Sequence, residues 1–554
     1  MERLEMLSLE RGNRVTGKAA SDQDANVSNA YGRSLKRTGP TEQASPKRLF
    51  NFTQIFFFSL TYLSSWETQA LNLSTVLSNG GPEALAWGIL IVVFGAMAQS
   101  ASLAEMASMQ PIAGAQYHWT HYLAPPSQRK FITWMQGWVT WFAWISTLAG
   151  VANTTATMIQ GLASVNYPEY EPKQWHITLI IVGMLTVEAL MNMYTFWLIP
   201  WIEMLAGILH ICLLIVFLVV FTALAPRHTP EFVFLHTQST SGWANFPAWN
   251  IGLLTPVWGF VGFDGAVHMS EEVRRAKQAV PRSIFYTVVA NGILAYAMVV
   301  CMLFTMGSVE EAQKSRFPII EICRQATGSV KAATAMVSGL LVISLSVNLA
   351  SIASVSRLTW AWARDGALPQ WFSYVCVTHT KHQTVLSKMK TKVFADMNGQ
   401  IDRKHNVPIR AVWLPVLVVM ILSCLNIADG AAFGAFVALG SIGLFVSYFI
   451  AISCMVHNRL QKHAAPLGNW NMGIWGLPVN VFALVYTTWV TVWLAFPSAL
   501  PVTGENMNYA APIFGATTFF AFVYWFFKGR TRWEGLNKEV IRLAVEGGEL
   551  QLKT

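Results

Sequence analysis

The chain has 554 residues, of which 53% are hydrophobic and only 12% are charged. Water-soluble proteins average about 25% charged residues, so this composition indicates an integral membrane protein and excludes a soluble enzyme. The six cysteines are scattered without a CxxC pair, and no His or Cys residues have metal-ligand spacing. We therefore predict neither a disulfide scaffold nor a metal site, and we expect no cofactor.

Residues 1–49 are polar, rich in Lys and Arg, and lack the apolar stretch of a secretory signal. We expect them to form a disordered cytosolic tail. Twelve apolar segments follow, each long enough to cross a hydrocarbon core of about 30 Å. We number them in chain order as spans one to twelve: 50–79, 84–108, 131–161, 176–195, 198–224, 246–269, 283–306, 331–360, 409–427, 431–457, 474–497 and 508–528.

The distribution of positive charge supports this topology. Of the 38 Lys and Arg residues, most lie on the cytosolic side if both termini are cytosolic, chiefly in the N-terminal tail, the loop at 361–410 and the C-terminal tail at 529–554. The net charge of +9 then follows from topology, and we expect no nucleic-acid partner because no basic soluble module is present. The predicted location is the cell membrane, with a vacuolar or other internal membrane as the alternative.

Spans one and six are interrupted in the middle of their apolar pattern. In span one the interruption is the polar run 64–69, and in span six Gly259, Gly262 and Gly265 cluster after Pro256. Glycine and proline weaken a helix, and irregular backbone at membrane depth persists only where it is buried in protein or lines a cavity. Two interruptions five spans apart predict an inverted repeat of residues 50–224 and 246–457, followed by two helices at 474–528.

Several motifs carry a family resemblance. The chain contains SLAEMASMQPIAGAQYHW after span two, GFDGAVHMSEEVRRAKQAVPRSI after span six and SRLTWAWARDGALPQW after span eight, together with NGGP, NVPIRA and FPSALPVTGENMNYA. In this order they resemble the amino acid–polyamine–organocation transporters, and in particular the fungal amino acid–choline branch, over about residues 50–530. The resemblance implies an all-α integral membrane protein of LeuT type, with twelve transmembrane helices in a 5+5 inverted repeat plus two C-terminal helices. It also implies a small, usually amine-bearing solute and transport commonly linked to the proton gradient.

The predicted binding site lies at the two interruptions, because unwinding exposes backbone amides and carbonyls that can orient a solute. The predicted substrate-binding residues are Ser64, Ser65, Trp66, Glu67, Thr68, Gly259, Phe260, Val261, Gly262, Phe263 and Asp264. The most informative is Glu67, because a carboxylate in mid-span is costly unless it is paired, protonated or solvated. It either binds a solute cation or the coupled proton, or it is a protonated acid bonded to the freed backbone. For Asp264 solute contact, helix capping and gating remain open.

Aromatic residues near the interruptions have two interpretations. Trp66, Trp258, Phe260 and Phe263 either form a cage that holds a quaternary ammonium by cation–π attraction or simply close the cavity. The tryptophan stripe of span three is expected to pack against a neighbouring helix. Its members are Trp134, Trp138, Trp141 and Trp144.

Other polar residues in the spans are further candidates. Asn153 and Asn348 either face the cavity or bond helices to one another. An inner gate of ion pairs, or alternatively a set of interfacial anchors, is predicted from Glu105, Glu271, Glu272, Arg357 and Arg364. Glu203 and His210 share one face of span five. Some relatives place a basic group there instead of a coupling sodium ion; this span has no Lys, which leaves the coupling ion open, although His210 titrates in a suitable range.

These observations predict a secondary transporter that imports a small amine or amino acid by alternating access, with lipid as its surroundings and a proton as the coupling ion. Two alternatives are an exporter or compartment transporter of a nitrogenous metabolite, and a nutrient sensor that binds solute without flux. A membrane enzyme is disfavoured because no nucleophile–base set or metal cluster occurs in or beside the spans.

Overall fold

The structure is a computed structural model that describes residues 48–314, 317–373, 407–428, 430–461, 465–504 and 506–537. The predictions for almost all of the N-terminal tail, for most of the loop at 361–410 and for the end of the C-terminal tail lie outside these residues. The helices, in chain order, are α1 (Phe52–Leu63), α2 (Ser65–Leu71), α3 (Leu73–Ser78), α4 (Gly81–Met109), α5 (Gln116–Leu123), α6 (Arg129–Asn166), α7 (Gln174–Tyr194), α8 (Ile199–Leu224), α9 (Pro230–Leu235), α10 (Asn245–Gly252), α11 (Leu254–Trp258), α12 (Gly265–His268), α13 (Ala276–Thr305), α14 (Val309–Lys314), α15 (Pro318–Thr327), α16 (Val330–Arg364), α17 (Ile409–Ser423), α18 (Leu425–Ala428), α19 (Gly430–Leu460), α20 (Gly476–Trp493) and α21 (Ala510–Tyr524).

Short elements connect or extend these helices. Four 3₁₀ segments occur at Phe196–Leu198, Ser270–Glu272, Gln370–Phe372 and Gly473–Trp475, and a π-helical turn at Trp525–Gly529 continues α21. The strands β1 (Asn79–Gly80) and β2 (Gln238–Ser239) form one antiparallel pair. Apart from this pair, the regular structure of the described residues is helical.

Within the described residues, nine helices are long and apolar enough to cross a membrane. They coincide with nine of the twelve predicted spans: Gly81–Met109, Gln174–Tyr194, Phe196–Leu224, Ala276–Thr305, Val330–Arg364, Ile409–Ile427, Phe436–Leu460, Gly473–Trp493 and Ala510–Gly529. Together with the composition they make the protein a multi-pass membrane protein, as predicted.

The other three predicted spans have a different appearance. Span three is the single 38-residue helix α6, whose Trp, Thr and Gln residues lower its hydropathy. Span one is divided into α1, α2 and α3, and span six into α10, α11 and α12. Both spans are therefore interrupted, as the sequence indicated, but residues 65–69 of the interruption predicted in span one are helical and belong to α2.

The two interruptions are built differently. In span one a single residue, Ser64, separates α1 from α2, and its φ of 40° lies in the left-handed region that non-glycine residues rarely adopt; Asn72 separates α2 from α3. Span six has an irregular stretch at 259–264 that includes Gly262 at φ 84°, where glycine relieves the strain that a side chain would cause. The first break is thus a sharp point between two helices, whereas the second is a segment of turns.

Packing brings together helices that lie five spans apart in the sequence. α4 packs along α13, α6 along α16, and α7 along α17, which correspond to spans two and seven, three and eight, and four and nine. A parallel bridge between Phe50 and Val273 joins the start of span one to the residues that follow span six. The Phe50 N–H donates to the Glu272 carbonyl oxygen at 3.1 Å. These contacts hold spans one and six side by side.

The described start of the C-terminal tail packs on the protein. Trp533 is 2% exposed and its indole N–H donates to the Asp365 carbonyl oxygen at 2.6 Å. The backbone N–H of Asn537 donates to the Asp365 carboxylate at 3.0 Å. Residues up to 537 are therefore anchored at the end of α16.

Candidate functional site

A cavity lies where the two interruptions meet, and the space free of protein atoms there, which includes space open to solvent, is about 660 Å³. Spans one, three, six and eight supply its walls. The lining residues are Tyr62, Leu63, Ser64, Glu67, Thr68, Leu71, Asn72, Thr147, Val151, Thr154, Trp258, Val261, Leu340, Ile343, Ser344 and Val347. Because both Glu67 and Val261 line it, the two broken spans meet at one cavity.

Hydrogen bonds between the two broken spans use the backbone groups that the breaks release. The Ser65 hydroxyl donates to the Gly259 carbonyl oxygen at 2.6 Å, and the Gln69 amide donates to the Pro256 carbonyl oxygen at 3.5 Å. The Ser65 backbone N–H donates to the side-chain oxygen of Asn291 on α13 at 3.2 Å. Carbonyls that would be costly to leave unpaired in lipid are thereby satisfied within the protein.

The predicted residues of the first break divide into two groups. Ser64, Glu67 and Thr68 line the cavity. Ser65 is buried and is used to bind the second break, as described above. Trp66 is fully buried on the side of α8, where its indole N–H donates to the His210 carbonyl oxygen at 3.2 Å. Trp66 therefore does not line the cavity.

Of the predicted residues of the second break, Val261 lines the cavity. The Gly262 N–H donates to the Tyr448 hydroxyl oxygen at 3.3 Å, and the Phe263 ring lies 5.0 Å from the Tyr448 ring. Gly259 approaches the first break, and Phe260 is 3% exposed. The second break therefore contacts span ten through Tyr448 as much as it contacts the cavity.

The four aromatic residues proposed as a cage are not gathered around this cavity. Trp258 is in the wall, whereas Trp66 and Phe263 pack on other helices. The second aromatic ring in the wall is that of Tyr62, whose hydroxyl accepts a hydrogen bond from Ser351 at 3.3 Å. An aromatic contribution to binding would come from Trp258 and Tyr62.

Glu67 is paired with a histidine of span five. Its Oε1 lies 2.6 Å from Nδ1 of His210, and both residues are buried. In the described part of the chain, neither Glu67 Oε2 nor His210 Nε2 has a hydrogen-bond partner. A carboxylate and an imidazole at this distance can share a proton, and the remaining carboxylate oxygen is available to a cation.

Asp264 is fully buried outside the cavity lining and accepts hydrogen bonds from three other segments. The Tyr448 hydroxyl donates at 2.5 Å, the Trp144 indole N–H donates at 3.3 Å, and the Gln116 amide also donates. Its side chain makes no capping hydrogen bond to α12. Asp264 therefore joins α5 and spans three, six and ten, and Trp144 of the tryptophan stripe belongs to this cluster.

The two asparagines proposed for the cavity are not among its lining residues. Asn348 is buried, and its amide donates to the Thr155 hydroxyl oxygen at 3.1 Å and to the Met184 sulfur at 3.4 Å. It thus bonds spans three, four and eight together. Asn153 is half-buried on α6 next to Thr154, which does line the cavity.

The residues predicted as a gate form buried ion pairs between the end of span six and the end of span eight. Arg357 Nε lies 2.9 Å from Glu272 Oε1, and Arg364 donates twice to Glu271, at 2.8 and 3.1 Å. Burial raises the pKa of the Glu271 carboxyl, but Arg364, the Ala113 N–H and His118 together lower it more, so that the pKa lies below its usual value. Glu271 is therefore held in its charged form.

Glu105 pairs outside this group. Its carboxylate accepts two hydrogen bonds from Arg459, each at 2.6 Å, and one from the Met472 backbone N–H at 3.1 Å. Arg459 lies at the end of span ten, so Glu105 connects spans two and ten. Whether these ion pairs open and close during function stays a prediction.

Sequence analysis proposed Asn153 of span three and Asn348 of span eight for the cavity, but it did not identify the residues of these spans that line it. On α6 they are Thr147, Val151 and Thr154, at spacings of four and three residues. On α16 they are Leu340, Ile343, Ser344 and Val347, again at spacings typical of one helical face. This periodicity was visible in the sequence, but apolar faces of the same spacing also occur at every helix–helix contact.

The fold and cavity define a multi-pass membrane protein whose two broken spans meet at a central cavity. Residues 50–519 match the profile of the family described as "Amino acid permease", and the chain belongs to this family. It is 28% identical to a choline transporter of Saccharomyces cerevisiae, over 89% of this chain and 83% of the relative. It is 29% identical to amino-acid permease 2 of Neurospora crassa, over 95% and 93% of the two chains. The predicted resemblance is confirmed: this is a membrane transporter and not an enzyme.

Proposed function

We propose that the protein is a secondary active permease that carries a small amine-bearing solute, such as choline, GABA or an amino acid, by alternating access. The observation that supports this proposal is the set of side chains that line the central cavity. Among the residues that line it, Glu67 is the single charged side chain, and no Lys or Arg is present. Because His210 contacts only one oxygen of Glu67, the other oxygen remains for a solute with a positive charge.

Aromatic and hydroxyl groups complete this recognition. Trp258 and Tyr62 lie in the same wall as Glu67, and an aromatic face adds about 2 kcal/mol to the binding of a desolvated ammonium. Ser64, Thr68 and Ser344 offer hydroxyls for the polar remainder of a solute. Relatives named choline transporter and amino-acid permease agree with a solute that carries an ammonium group.

The Glu67–His210 pair supports proton coupling. Glu67 Oε1 and His210 Nδ1 lie 2.6 Å apart, and a proton bound by this pair changes the charge that the solute meets in the cavity. Proton binding and solute binding are then linked, and each changes the affinity for the other by the same factor. The pair thus supplies a physical basis for coupling transport to a proton gradient.

The architecture that accompanies this function is a LeuT-type arrangement of twelve spans, in two inverted repeats of five and a C-terminal pair. Nine continuous helices in the described residues, the long α6 and the two interrupted spans support this count. The pairing of spans two with seven, three with eight and four with nine is the packing that such repeats produce.

We assign both termini to the cytosol and the protein to the plasma membrane, in agreement with the positive-inside rule. With this orientation the lining residues Leu71, Asn72 and Thr154 lie on the extracellular side of the breaks. The ion pairs Glu272–Arg357 and Glu271–Arg364 lie on the cytosolic side. We infer an outward-facing state, with these buried ion pairs on the cytosolic side.

Transport assays in reconstituted vesicles test this function. Purified protein is supplied with radiolabelled choline, GABA, basic amino acids and polyamines, with and without an uncoupler. We expect saturable uptake of at least one amine that the uncoupler reduces. Saturable binding without flux would identify a sensor instead, and net accumulation only in the outward direction would identify an exporter.

A further inference from the structure

Residues 530–537, which we call the C-terminal strap, follow the π-helical turn at the end of α21 and are packed into the protein. Within the strap, Trp533 is 2% exposed and Leu536 is buried. The centre of the Trp533 ring lies 5.3 Å from that of Trp134 on α6 and 6.0 Å from that of Trp362 on α16. A buried tryptophan ring contributes a large apolar contact area, so the strap is held by packing as well as by hydrogen bonds.

Asp365, directly after α16, attaches the strap to α5. Its backbone carbonyl oxygen accepts a hydrogen bond from the Trp533 indole at 2.6 Å, and its Oδ1 accepts one from the Asn537 backbone N–H at 3.0 Å. Its Oδ2 accepts a hydrogen bond from the Tyr117 hydroxyl at 2.8 Å and lies 3.0 Å from Nε2 of His118. Tyr117 and His118 belong to α5. One buried carboxylate therefore binds the strap through one oxygen and α5 through the other.

α5 and the loop before it contact the second broken span. The Ala113 backbone N–H donates to Glu271 Oε1 at 3.3 Å, and the Ala113 carbonyl oxygen lies 2.7 Å from Nδ1 of His268. The Gln116 amide of α5 donates to Asp264. A movement of the end of span six would therefore disturb α5 and the strap that is bonded to the same carboxylate as α5.

The start of the strap is bonded to two further elements. The Lys130 ammonium of α6 donates to the Arg530 carbonyl oxygen at 3.3 Å. Lys528, just before the strap, donates to the Ala367 carbonyl oxygen at 3.1 Å, beyond the end of α16. The strap thus connects α5, α6 and the end of α16. Contacts that exist in one conformation and are lost in another shift the equilibrium between the two.

We propose that the C-terminal strap holds the cytosolic side of the protein closed, and that it leaves Asp365 when that side opens. This inference rests on the alternating access and the cytosolic C-terminus of the proposed function. The contacts of the strap are made in the state in which the ion pairs Glu272–Arg357 and Glu271–Arg364 join spans six and eight. Loss of the strap therefore favours the state that is open to the cytosol.

The accessibility of one cysteine in the cavity wall tests the strap without any solute. Ser344 lines the cavity, and Ser344→Cys is introduced into a chain whose six native cysteines are replaced by alanine. A membrane-impermeant maleimide is added from outside to intact cells or from the cytosolic side to inside-out vesicles. With the strap present, we expect labelling mainly from outside. A chain that ends at Gly529 should be labelled roughly 3-fold faster or more from the cytosolic side, and more slowly from outside.

Three variants serve as controls. A chain that ends at Asn537 keeps the strap, loses the rest of the tail, and should be labelled like the full-length chain. Trp533→Ala in the full-length chain should change labelling in the same direction as removal of the strap, which keeps the test valid if the chain ending at Gly529 does not fold. Trp533→Phe keeps an aromatic ring, loses the indole donor, and should have a smaller effect. Size-exclusion chromatography establishes that each labelled protein is folded.

Several results would overturn the strap. They are unchanged labelling after strap removal and in Trp533→Ala, an equal increase from both sides, the same change in the chain that ends at Asn537, and predominantly cytosolic labelling of the full-length chain. An equal increase would mark the strap as a structural element. Because the labelling needs no transported solute, the strap can fail while vesicles show flux. Strap-dependent labelling without flux would contradict the permease alone.

Discussion

The two broken spans each place a carboxylate next to the break, yet the two carboxylates have opposite environments. Glu67 lies in the cavity wall with one partner, His210, and one unbonded oxygen. Asp264 lies behind the cavity and accepts hydrogen bonds from Tyr448, Trp144 and Gln116. An incompletely bonded carboxylate is available for a ligand or a proton, whereas a fully bonded one holds segments together.

The largest effect is expected at Glu67. We predict that Glu67→Gln abolishes uptake, or its pH dependence, without lowering the amount of protein in the membrane. The loss of a hydrogen bond between Glu67 and a charged solute costs about 1.5–3 kcal/mol of binding, which corresponds to a loss of roughly 10- to 100-fold in uptake at subsaturating solute. Initial uptake rates measure this loss of uptake, and Glu169→Gln, which changes an exposed carboxyl group, is the matched control. Unaltered kinetics would remove Glu67 from the mechanism.

At Asp264 we expect a substitution to lower stability and not transport. Asp264→Asn puts an amide group among three donors, and we predict a loss of about 2–4 kcal/mol of stability. The melting temperature of the detergent-solubilised protein should fall, and the protein that remains folded should still transport. A normal melting temperature together with lost transport would instead place Asp264 in solute binding, and the contrast between the two carboxylates would disappear.

A smaller effect on stability and solute binding is expected at Gly262 in the second break. Gly262 has a φ of 84°, and a Cβ atom there would lie 3.1 Å from the Tyr62 ring. We predict that Gly262→Ala costs about 1–2 kcal/mol of stability and raises KM, because Tyr62 lines the cavity. Thermal unfolding measures the change in stability, and the dependence of uptake on solute concentration measures KM. A change in stability with an unchanged KM would show that Tyr62 does not contribute to binding.

The smallest effect concerns the ion pair after the second break. The pKa of Glu271 lies below its usual value of 4.5, so the pair contributes stability above that pH and loses it as the pH falls through the lowered pKa. We expect a contribution on the order of 1 kcal/mol, visible as a melting temperature that falls in this acidic range. Glu271→Gln should reduce this dependence, and an identical acid profile would show that other carboxyl groups cause it.

Much of the architecture was predictable because lipid imposes strong rules on sequence. Apolar length located the continuous spans, and the polar run after Leu63 together with the glycines after Pro256 located the two breaks. Glu67 was identified because a carboxylate in mid-span is costly. These signals are local, and each can be read from a short stretch of the chain.

The contacts of the polar and aromatic residues that the sequence singled out were not predictable from local signals. His210 was noticed, but its pairing with Glu67 joins residues separated by 143 positions. Glu105 was expected among the gate residues of spans six and eight, but it pairs with Arg459. Trp66 was expected in the cavity, but it packs beside His210. Which way a side chain points depends on how the helix is rotated against its neighbours.

The amino-acid sequence by itself determined the membrane class, the transporter family and the position of both breaks, because hydropathy, helix-breaking residues and motifs act over short distances. The tertiary structure alone decided which carboxylate faces the cavity, which is saturated and which pair with a cation. The physical reason is that the free energy of a buried charge depends on groups from other helices, whose depth and rotation are set by packing across the whole bundle.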